Sequence, residues 1–307
     1  MAKAREIKRR IKSVDNTRQI TKTMEMVAAS KLKRAQDRVV AARPFDEFMR
    51  LVIAQLGEGF EETAEEFPLL REEEKSGSAG ILVITSNRGL AGAFNANLVR
   101  EAMARMRELE AGGKQVELHV VGKKGATMLR YAGRTPDHTV TDLSDRPAFE
   151  EAVRAAEPLI QDFIEHKLDA VYLVYSLFKS PVEQRPTTAR ILPLPLTHEA
   201  EGGQGVRPGA PEADRGERRY EPIYEFLPSP EEILTRLLPL FLRYGVYRAV
   251  IESAASEHGA RRTAMKNATD NAKELNRTLT RNYNRARQAQ ITQEIAELVG
   301  GAEALKR

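Results

Sequence analysis

The strongest constraint on how this 307-residue chain folds lies in its last quarter. The run from Ser229 to Val299 has a helix-forming composition. After Pro239 it contains no proline, and only Gly245 and Gly259 interrupt it before Gly300-Gly301. The proline-free part alone makes a rod of ~90 Å. A domain built from the middle of the chain would have a radius of gyration of only ~15 Å. Such a helix is too long to lie on its own domain. It must pack on another long helix, on partner chains, or on both.

A second rod is readable at the other end. Across residues 3–56, apolar or small side chains recur at Ile7, Ile11, Val14, Met24, Ala28, Leu32, Ala35, Val39, Ala42, Phe45, Met49, Val52 and Leu56. Most steps alternate three and four, the spacing of a coiled-coil seam, and Arg18 and Thr21 continue it with polar groups. Gly57 and Gly59 mark a stop. Pro44 predicts a bend or a loosened turn. The C-terminal seam runs through Ile251, Ala254, Met265, Ala268, Ala272, Leu275, Leu279 and Ala286, then Ile291, Ile295 and Leu298. Its alanines permit close approach of a second helix. Since the two rods flank one compact region, they are expected to pair antiparallel, with the end of the longer one projecting alone. Ser229, Pro230 and Glu232 read as the start of the C-terminal helix, with a cap, a first-turn proline and a capping-box glutamate.

Between the rods the period changes. Residues 58–79 are acidic and then Ser/Gly-rich, a linker pattern. Ile81-Leu82-Val83-Ile84-Thr85 predicts a buried strand, Ala93–Leu109 a helix, Val116–Val121 a strand, and the segment after Gly122-Lys123-Lys124-Gly125 a short helix. Glu150–His166 predicts a helix, and Ala170–Tyr175 and Thr188–Leu194 two more strands, after a loop holding Pro181 and Pro186. This alternation is that of an open α/β sheet with mostly parallel strands, and the short last connection predicts a hairpin on one edge. Residues 198–228, rich in Gly, Pro, Glu and Arg up to position 222, read as a flexible loop. The expected organisation is an N-terminal helix (1–57), a linker (58–79), an α/β domain (80–197), a loop (198–228) and a C-terminal helix (229–307).

Composition removes several classes of function. Hydrophobic residues make up 41% and charged residues 30%, a soluble balance tilted toward solvated helices. No apolar run reaches the ~18 residues of a membrane span, and the charged start Met1–Glu6 does not read as a secretory signal. There is no cysteine, hence no disulfide and no thiolate metal site. The five histidines, at 119, 138, 166, 198 and 258, do not fall at ligand spacing, so no metal is expected. Gly89-Leu90-Ala91-Gly92 sits where phosphate-binding loops sit, between a strand and a helix. It lacks the third glycine of a dinucleotide fingerprint and the Gly-Lys-Ser/Thr of a P-loop, so it reads as a tight turn and no cofactor is expected. No catalytic constellation stands out.

The net charge of +4 is unevenly spread. Residues 1–50 hold 14 Lys/Arg against 6 Asp/Glu, and residues 257–307 hold 10 against 6. The middle is acidic. Two readings are open at this point: a partner with acidic surfaces, or solvated helices that use Arg and Lys. Nucleic acid is disfavoured, because the basic N-terminal stretch has no aromatic before Phe45 to stack on a base.

Three stretches carry a resemblance. Ile7-Lys8-Arg9-Arg10-Ile11-Lys12-Ser13-Val14-Asp15-Asn16-Thr17 and Gln19 to Lys31 (QITKTMEMVAASK) resemble the N-terminal helix of the gamma subunit of F-type ATP synthase. Ser253 to Glu257, Ala264 to Ala272 and Asn284 to Ile295 resemble its C-terminal helix, and Ser86 to Gly92 with Phe94-Asn95 its central domain. The resemblance implies a rotor: one copy per complex, its coiled coil a shaft in the bore of a hexamer of three alpha and three beta subunits, its α/β domain a foot with the epsilon subunit and the membrane c-ring. It implies ATP chemistry on the beta subunits and a peripheral place on the cytoplasmic face of a bacterial membrane. It maps rotor–stator contacts onto Lys22, Met24, Arg261, Gln288, Thr292 and Glu294, and an apical bearing onto Ile295, Leu298 and Val299. Asn87 and Ala91 depart from the family, where many members have Asp and Cys. Residues 200–219 look like an insertion. The lack of cysteine excludes the thiol regulation of some photosynthetic relatives. A coiled-coil scaffold and a nucleotide-binding α/β enzyme are the competing readings.

Overall fold

The computed structural model describes residues 2–57, 67–72, 76–194 and 229–304. The loop expected over 198–228, and His198 with it, lies outside the described residues, as does most of the linker expected over 58–79. Two helices dominate. Helix α1 (Ala2–Gly57) and the C-terminal helix α5 (Pro230–Ala304) are 56 and 75 residues long. They run antiparallel: Thr269 Oγ1 meets Thr21 Oγ1 at 2.8 Å, and the Tyr244 hydroxyl donates to the Ala42 carbonyl at 2.6 Å. Ala28, Leu32, Val39, Met265 and Ala272 are buried along the seam. From Ile291 to Val299 every residue of α5 is exposed, so the longer helix does project past its partner.

The seam departs from expectation at two positions. Phe45 is 39% exposed and Asp46 is buried in its stead, followed by Met49, Ile53 and Leu56. The shift follows from the partners. Asp46 faces Arg248 of α5, and the Phe45 ring lies on the flank against Tyr244, 4.4 Å between centroids. Leu275, also placed in the seam, is exposed. Neither Pro44 nor Pro239 breaks its helix. Pro44 is exposed, so its ring and its missing N–H sit on the solvent side, where a kink disturbs no packing.

The α/β domain is a five-stranded sheet in the order β3-β2-β1-β4-β5. Strands β1 (Ser78–Ile84), β2 (Gln115–Val121), β3 (His138–Val140) and β4 (Ala170–Phe178) are parallel, and β5 (Gln184–Leu192) closes one edge antiparallel to β4. The expected hairpin is therefore present, but β5 begins before the predicted Thr188 and contains Pro186. An edge strand tolerates proline because one row of its N–H groups has no ladder to feed. Strand β3 has no counterpart in the expected order; among the described residues its three residues pair with His119–Val121 alone.

Alternation along β1 divides the core. Ala79, Ile81 and Val83 face α2 (Phe94–Ala111) and α3 (Lys123–Tyr131). Leu82 and Ile84 face α4 (Phe149–Ile164) and the first turns of α5. On that side Leu234, Leu238, Leu242 and Val246 are buried to 3% exposure or less, each contributing ~1.5–3 kcal/mol. The lower third of α5 is thus a core element of the domain, and the rest of it leaves the domain as a shaft. Phe67, Leu69 and Leu70 also pack into this core, with the Leu69 carbonyl accepting from Leu194 N–H at 2.9 Å.

At the end of β1 the turn into α3 presses on Thr85. A Cβ on Gly125 would lie 2.3 Å from Thr85 Oγ1 and 2.5 Å from its Cγ2. The threonine is held in place, donating to the Val121 carbonyl at 2.6 Å and accepting from Gly125 N–H at 3.1 Å. Gly125→Ala is therefore expected to destabilise the domain by about 3 kcal/mol, through overpacking and a lost hydrogen bond. Chemical denaturation of the purified chain checks it; a midpoint equal to that of the unchanged chain contradicts it.

Candidate functional site

In an open α/β sheet a ligand binds outside the carboxyl ends of the strands, where connections diverge to either side. Here that place lies above β1, which feeds toward β2 on one side and neighbours β4 on the other. The loop Ser86–Gly92 borders it and is built as a rigid turn. Ser86 N–H donates to Asn95 Oδ1 at 3.0 Å, and Ser86 Oγ to the Arg88 carbonyl at 2.6 Å. Asn87 ties three loops together: its Oδ1 accepts from Lys123 N–H, and its Nδ2 donates to the carbonyls of Thr141 and Leu143. Leu90 adopts φ +65° and Gly92 φ +59°.

The crevice beneath this loop is filled by α5. Arg261 Nε donates to the Gly89 carbonyl at 3.3 Å, and a Cβ on Gly92 would meet the Ala264 methyl at 3.7 Å. The remaining cavity, between Ser86, Asp145, Ser253 and Glu257, measures about 40 Å³. That holds a water molecule, whereas a small-molecule site needs ~300 Å³ or more. The Gly89–Gly92 turn serves helix docking. Among the described residues no group of three or more His, Asp or Glu is placed to hold a metal ion.

Arg261 is the centre of a charged cluster at this joint. Its side chain is only 12% exposed and pairs with Glu257. Asp145 receives Lys31 of α1 and lies 3.6 Å from Arg88. The Lys31 contact holds the Asp145 carboxyl below its usual range, whereas burial raises that of Glu257 despite Arg261. His258, 4% exposed, is pulled down to about 4 by burial and by the cations Arg261 and Lys31. It is therefore neutral in the folded chain at neutral pH.

A histidine depressed from 6.5 to about 4 makes the unfolded chain bind the extra proton first as the pH falls. Its contribution to stability is complete above pH ~6.5 and lost on descending toward pH ~4, by about 3 kcal/mol. Asp145 loses its Lys31 stabilisation in the same direction, and Glu257 titrates in the opposite one. The difference between the unchanged chain and His258→Gln isolates the histidine. Denaturant midpoints from pH 7 to pH 4 are expected to fall less steeply in the variant; parallel profiles contradict the assignment.

The positions mapped by family resemblance fall on three surfaces. Lys22 is exposed on α1 with Glu25 at 3.3 Å, and Met24 is half-buried toward the seam. Arg261 is in the clasp just described, facing its own chain. Gln288, Thr292 and Glu294 lie exposed on α5; the Thr292 hydroxyl donates to the Gln288 carbonyl and Gln290 Nε2 to Glu294. Beyond them Ile295, Leu298 and Val299 expose 56%, 73% and 58% of their surface. Below, between α1, α5 and the loop before α4, lies an open pocket of about 640 Å³ lined by four cations, Lys31, Arg34, Arg38 and Arg146, and two acids, Asp37 and Asp145.

Residues that sequence reasoning did not single out tie the shaft to the domain. Arg248 reaches Asp46 of α1 and lies 3.6 Å from Glu252. Asp46 also accepts from Arg50 at 3.0 Å. Burial opposes the Arg248 charge, but the carboxylates of Glu252 and Asp46 outweigh it; burial raises Glu252 despite Arg248. Ser253 and Ser256 bond to the backbone of Ser176 in β4. An acid beside Phe45 in an otherwise apolar seam is the one local signal from which this cluster could have been found.

Known proteins agree with this architecture along the whole chain. A family model described as ATP synthase matches residues 3–305. The ATP synthase gamma chain of Gemmatimonas aurantiaca is 48% identical over 307 residues, covering 100% of both chains. That of Moorella thermoacetica is 42% identical over 306 residues, again covering 100% of each. Among solved structures, a chain of the Euglena gracilis mitochondrial ATP synthase rotor has a TM-score of 0.61 at 20% identity, covering 94% of this chain and 99% of that one. A chain of the OSCP/F1/c-ring assembly of the same organism's enzyme reaches a TM-score of 0.65 at 21% identity, covering 99% and 95%. The protein belongs to the family of ATP synthase gamma chains.

Proposed function

We propose that the chain is the central-stalk rotor subunit of an ATP synthase, carrying torque between the membrane c-ring and a catalytic hexamer of alpha and beta subunits. The observation that carries this reading is the free end of α5. A helix that exposes Ile291, Ile295, Leu298 and Val299, past its last partner among the described residues, needs a cover supplied from outside. A sleeve at the top of a hexamer bore supplies it. The subunit itself is non-catalytic: the crevice where an α/β sheet would bind a nucleotide is occupied by Arg261 and Ala264. The basic pocket and Lys22 face acidic segments of the beta subunits, the α/β domain stands on the c-ring with the epsilon subunit, and the complex sits on the cytoplasmic face of the membrane. Rotor–stator contacts are assigned to Lys22, Met24, Gln288, Thr292 and Glu294. Arg261 acts first by holding the shaft to the Ser86–Gly92 loop.

The test is assembly. Purified chain mixed with matching alpha and beta subunits is expected to yield an ATPase containing one copy of it. Failure to assemble, or an equal ATPase formed without it, overturns the reading. Nucleotide binding by the isolated chain would favour the α/β-enzyme alternative.

A further inference from the structure

We propose that the shaft is welded to the α/β domain by two sets of side chains, the serine pair Ser253 and Ser256 and the buried cluster Asp46–Arg248–Glu252, and that this weld is what delivers torque from foot to shaft. The inference rests on the rotor reading above.

Strand β4 outruns its neighbour. It pairs with β1 only over Ala170–Val174 and then continues to Phe178 with β5 on one side. On the other side, past Val174, no strand of the sheet pairs with it. The backbone groups of Ser176 are taken by α5 instead. Its N–H donates to Ser253 Oγ at 3.0 Å, and its carbonyl accepts from Ser256 Oγ at 3.0 Å. Both serines are buried. Hydroxyls elsewhere on this helix, at Thr269, Thr280 and Thr292, turn back to carbonyls four residues earlier. Those of Ser253 and Ser256 face outward and bond the helix into the edge of the sheet.

The charged cluster lies within two turns of the serines. Arg248 joins α5 to Asp46 of α1, and Tyr175 of β4 is among its close neighbours. One short length of α5, residues 248–256, therefore grips both the second helix of the shaft and the sheet. The position is mechanically special. Below it, Leu234 to Val246 lie in the domain core; above it, the domain meets α5 at the Arg261 clasp, at Gly259 beside the Pro181–Gln184 turn and at Ala260. Torque about the shaft axis acts as shear across this joint. Apolar contacts are non-directional and yield to sliding, whereas hydrogen bonds with fixed donor and acceptor directions resist rotation of the helix about its axis. These residues position the shaft and take no part in the chemistry.

The experiment compares ATP hydrolysis with ATP-driven ion pumping in inverted membrane vesicles carrying the assembled complex. One variant is Ser253→Ala with Ser256→Ala, which keeps volume and charge. The other is Asp46→Asn, Arg248→Met and Glu252→Gln together, which leaves no lone buried charge. Both are expected to hydrolyse ATP within about twofold of the unchanged complex and to pump about threefold less per ATP. A pumping-to-hydrolysis ratio unchanged in both variants overturns the weld, including when the two rates fall in parallel, as loss of folded protein would make them. The unchanged chain must itself restore pumping to vesicles stripped of it. Failure there strikes the rotor reading, whereas an unchanged ratio in the variants strikes only the weld.

Discussion

Proline in place of Ala268 is expected to lower the stability of the chain by about 3 kcal/mol or more, because it removes a backbone hydrogen bond and drives its ring into the carbonyl four residues earlier. The site makes the effect larger than the tolerated Pro44 indicates. Ala268 is half-buried, one turn from buried Met265 and Ala272 and beside the Thr269–Thr21 contact between the helices. A kink there opens the seam to which α5 owes its alignment with α1. Pro44, by contrast, lies on the solvent side of α1, which continues through it. Thermal unfolding followed by helical circular dichroism is expected to shift down by on the order of 8 °C. Assembly with catalytic subunits is expected to fail, since the free end of α5 no longer points along the shaft. Unchanged melting together with normal assembly would show that the seam does not set the shaft.

The second large effect separates folding from function. Removal of residues 289–307 takes away the exposed stretch from Ile291 to Val299, which has no seam to support. The melting temperature is expected to stay within about 2 °C of the unchanged chain, because surface changes away from packed features move stability little. Coupled turnover of the assembled complex is expected to fall by about tenfold, the cost of losing a bearing worth ~1.4 kcal/mol in the rate-limiting step. A large drop in melting temperature would mean that the end packs on its own chain. Unchanged turnover would mean that Ile295, Leu298 and Val299 bear nothing. A purely structural scaffold predicts the first loss without the second. Arg261, an obvious position for separating scaffold from rotor, does so poorly, since its replacement also frees Glu257 and the Gly89 carbonyl.

Most of the fold was readable because its largest parts obey simple periods. The expected helix over 3–56 is observed as Ala2–Gly57, and the run beginning at Ser229 as Pro230–Ala304. Spacing of three and four fixes a helical seam regardless of what covers it. Where the reading slipped, a distant partner decided. Phe45 and Asp46 fit the spacing equally well, and only Arg248, 202 residues away, draws the acid inward. Strand β3 is three residues with no alternation to detect, and the start of β5 hid behind Pro186, which is harmless on an edge. The functional surfaces divide in the same way. The exposed apolar end of α5 is visible in the spacing of Ile291, Ile295 and Leu298. The Arg261 clasp, the Asn87 tie and the serine contacts to Ser176 depend on which loop meets which helix, and no local pattern records that.

A shaft that turns inside a hexamer can be watched turning. This chain contains no cysteine, and Tyr131 at the end of α3 is 89% exposed on the foot. Tyr131→Cys therefore offers a single attachment point for a bead, with the hexamer fixed to a surface by its beta subunits. On addition of ATP the bead is expected to rotate stepwise in one direction, with one set of equivalent pauses for each beta subunit. ATP hydrolysis at a normal rate with the bead stationary would contradict the rotor reading.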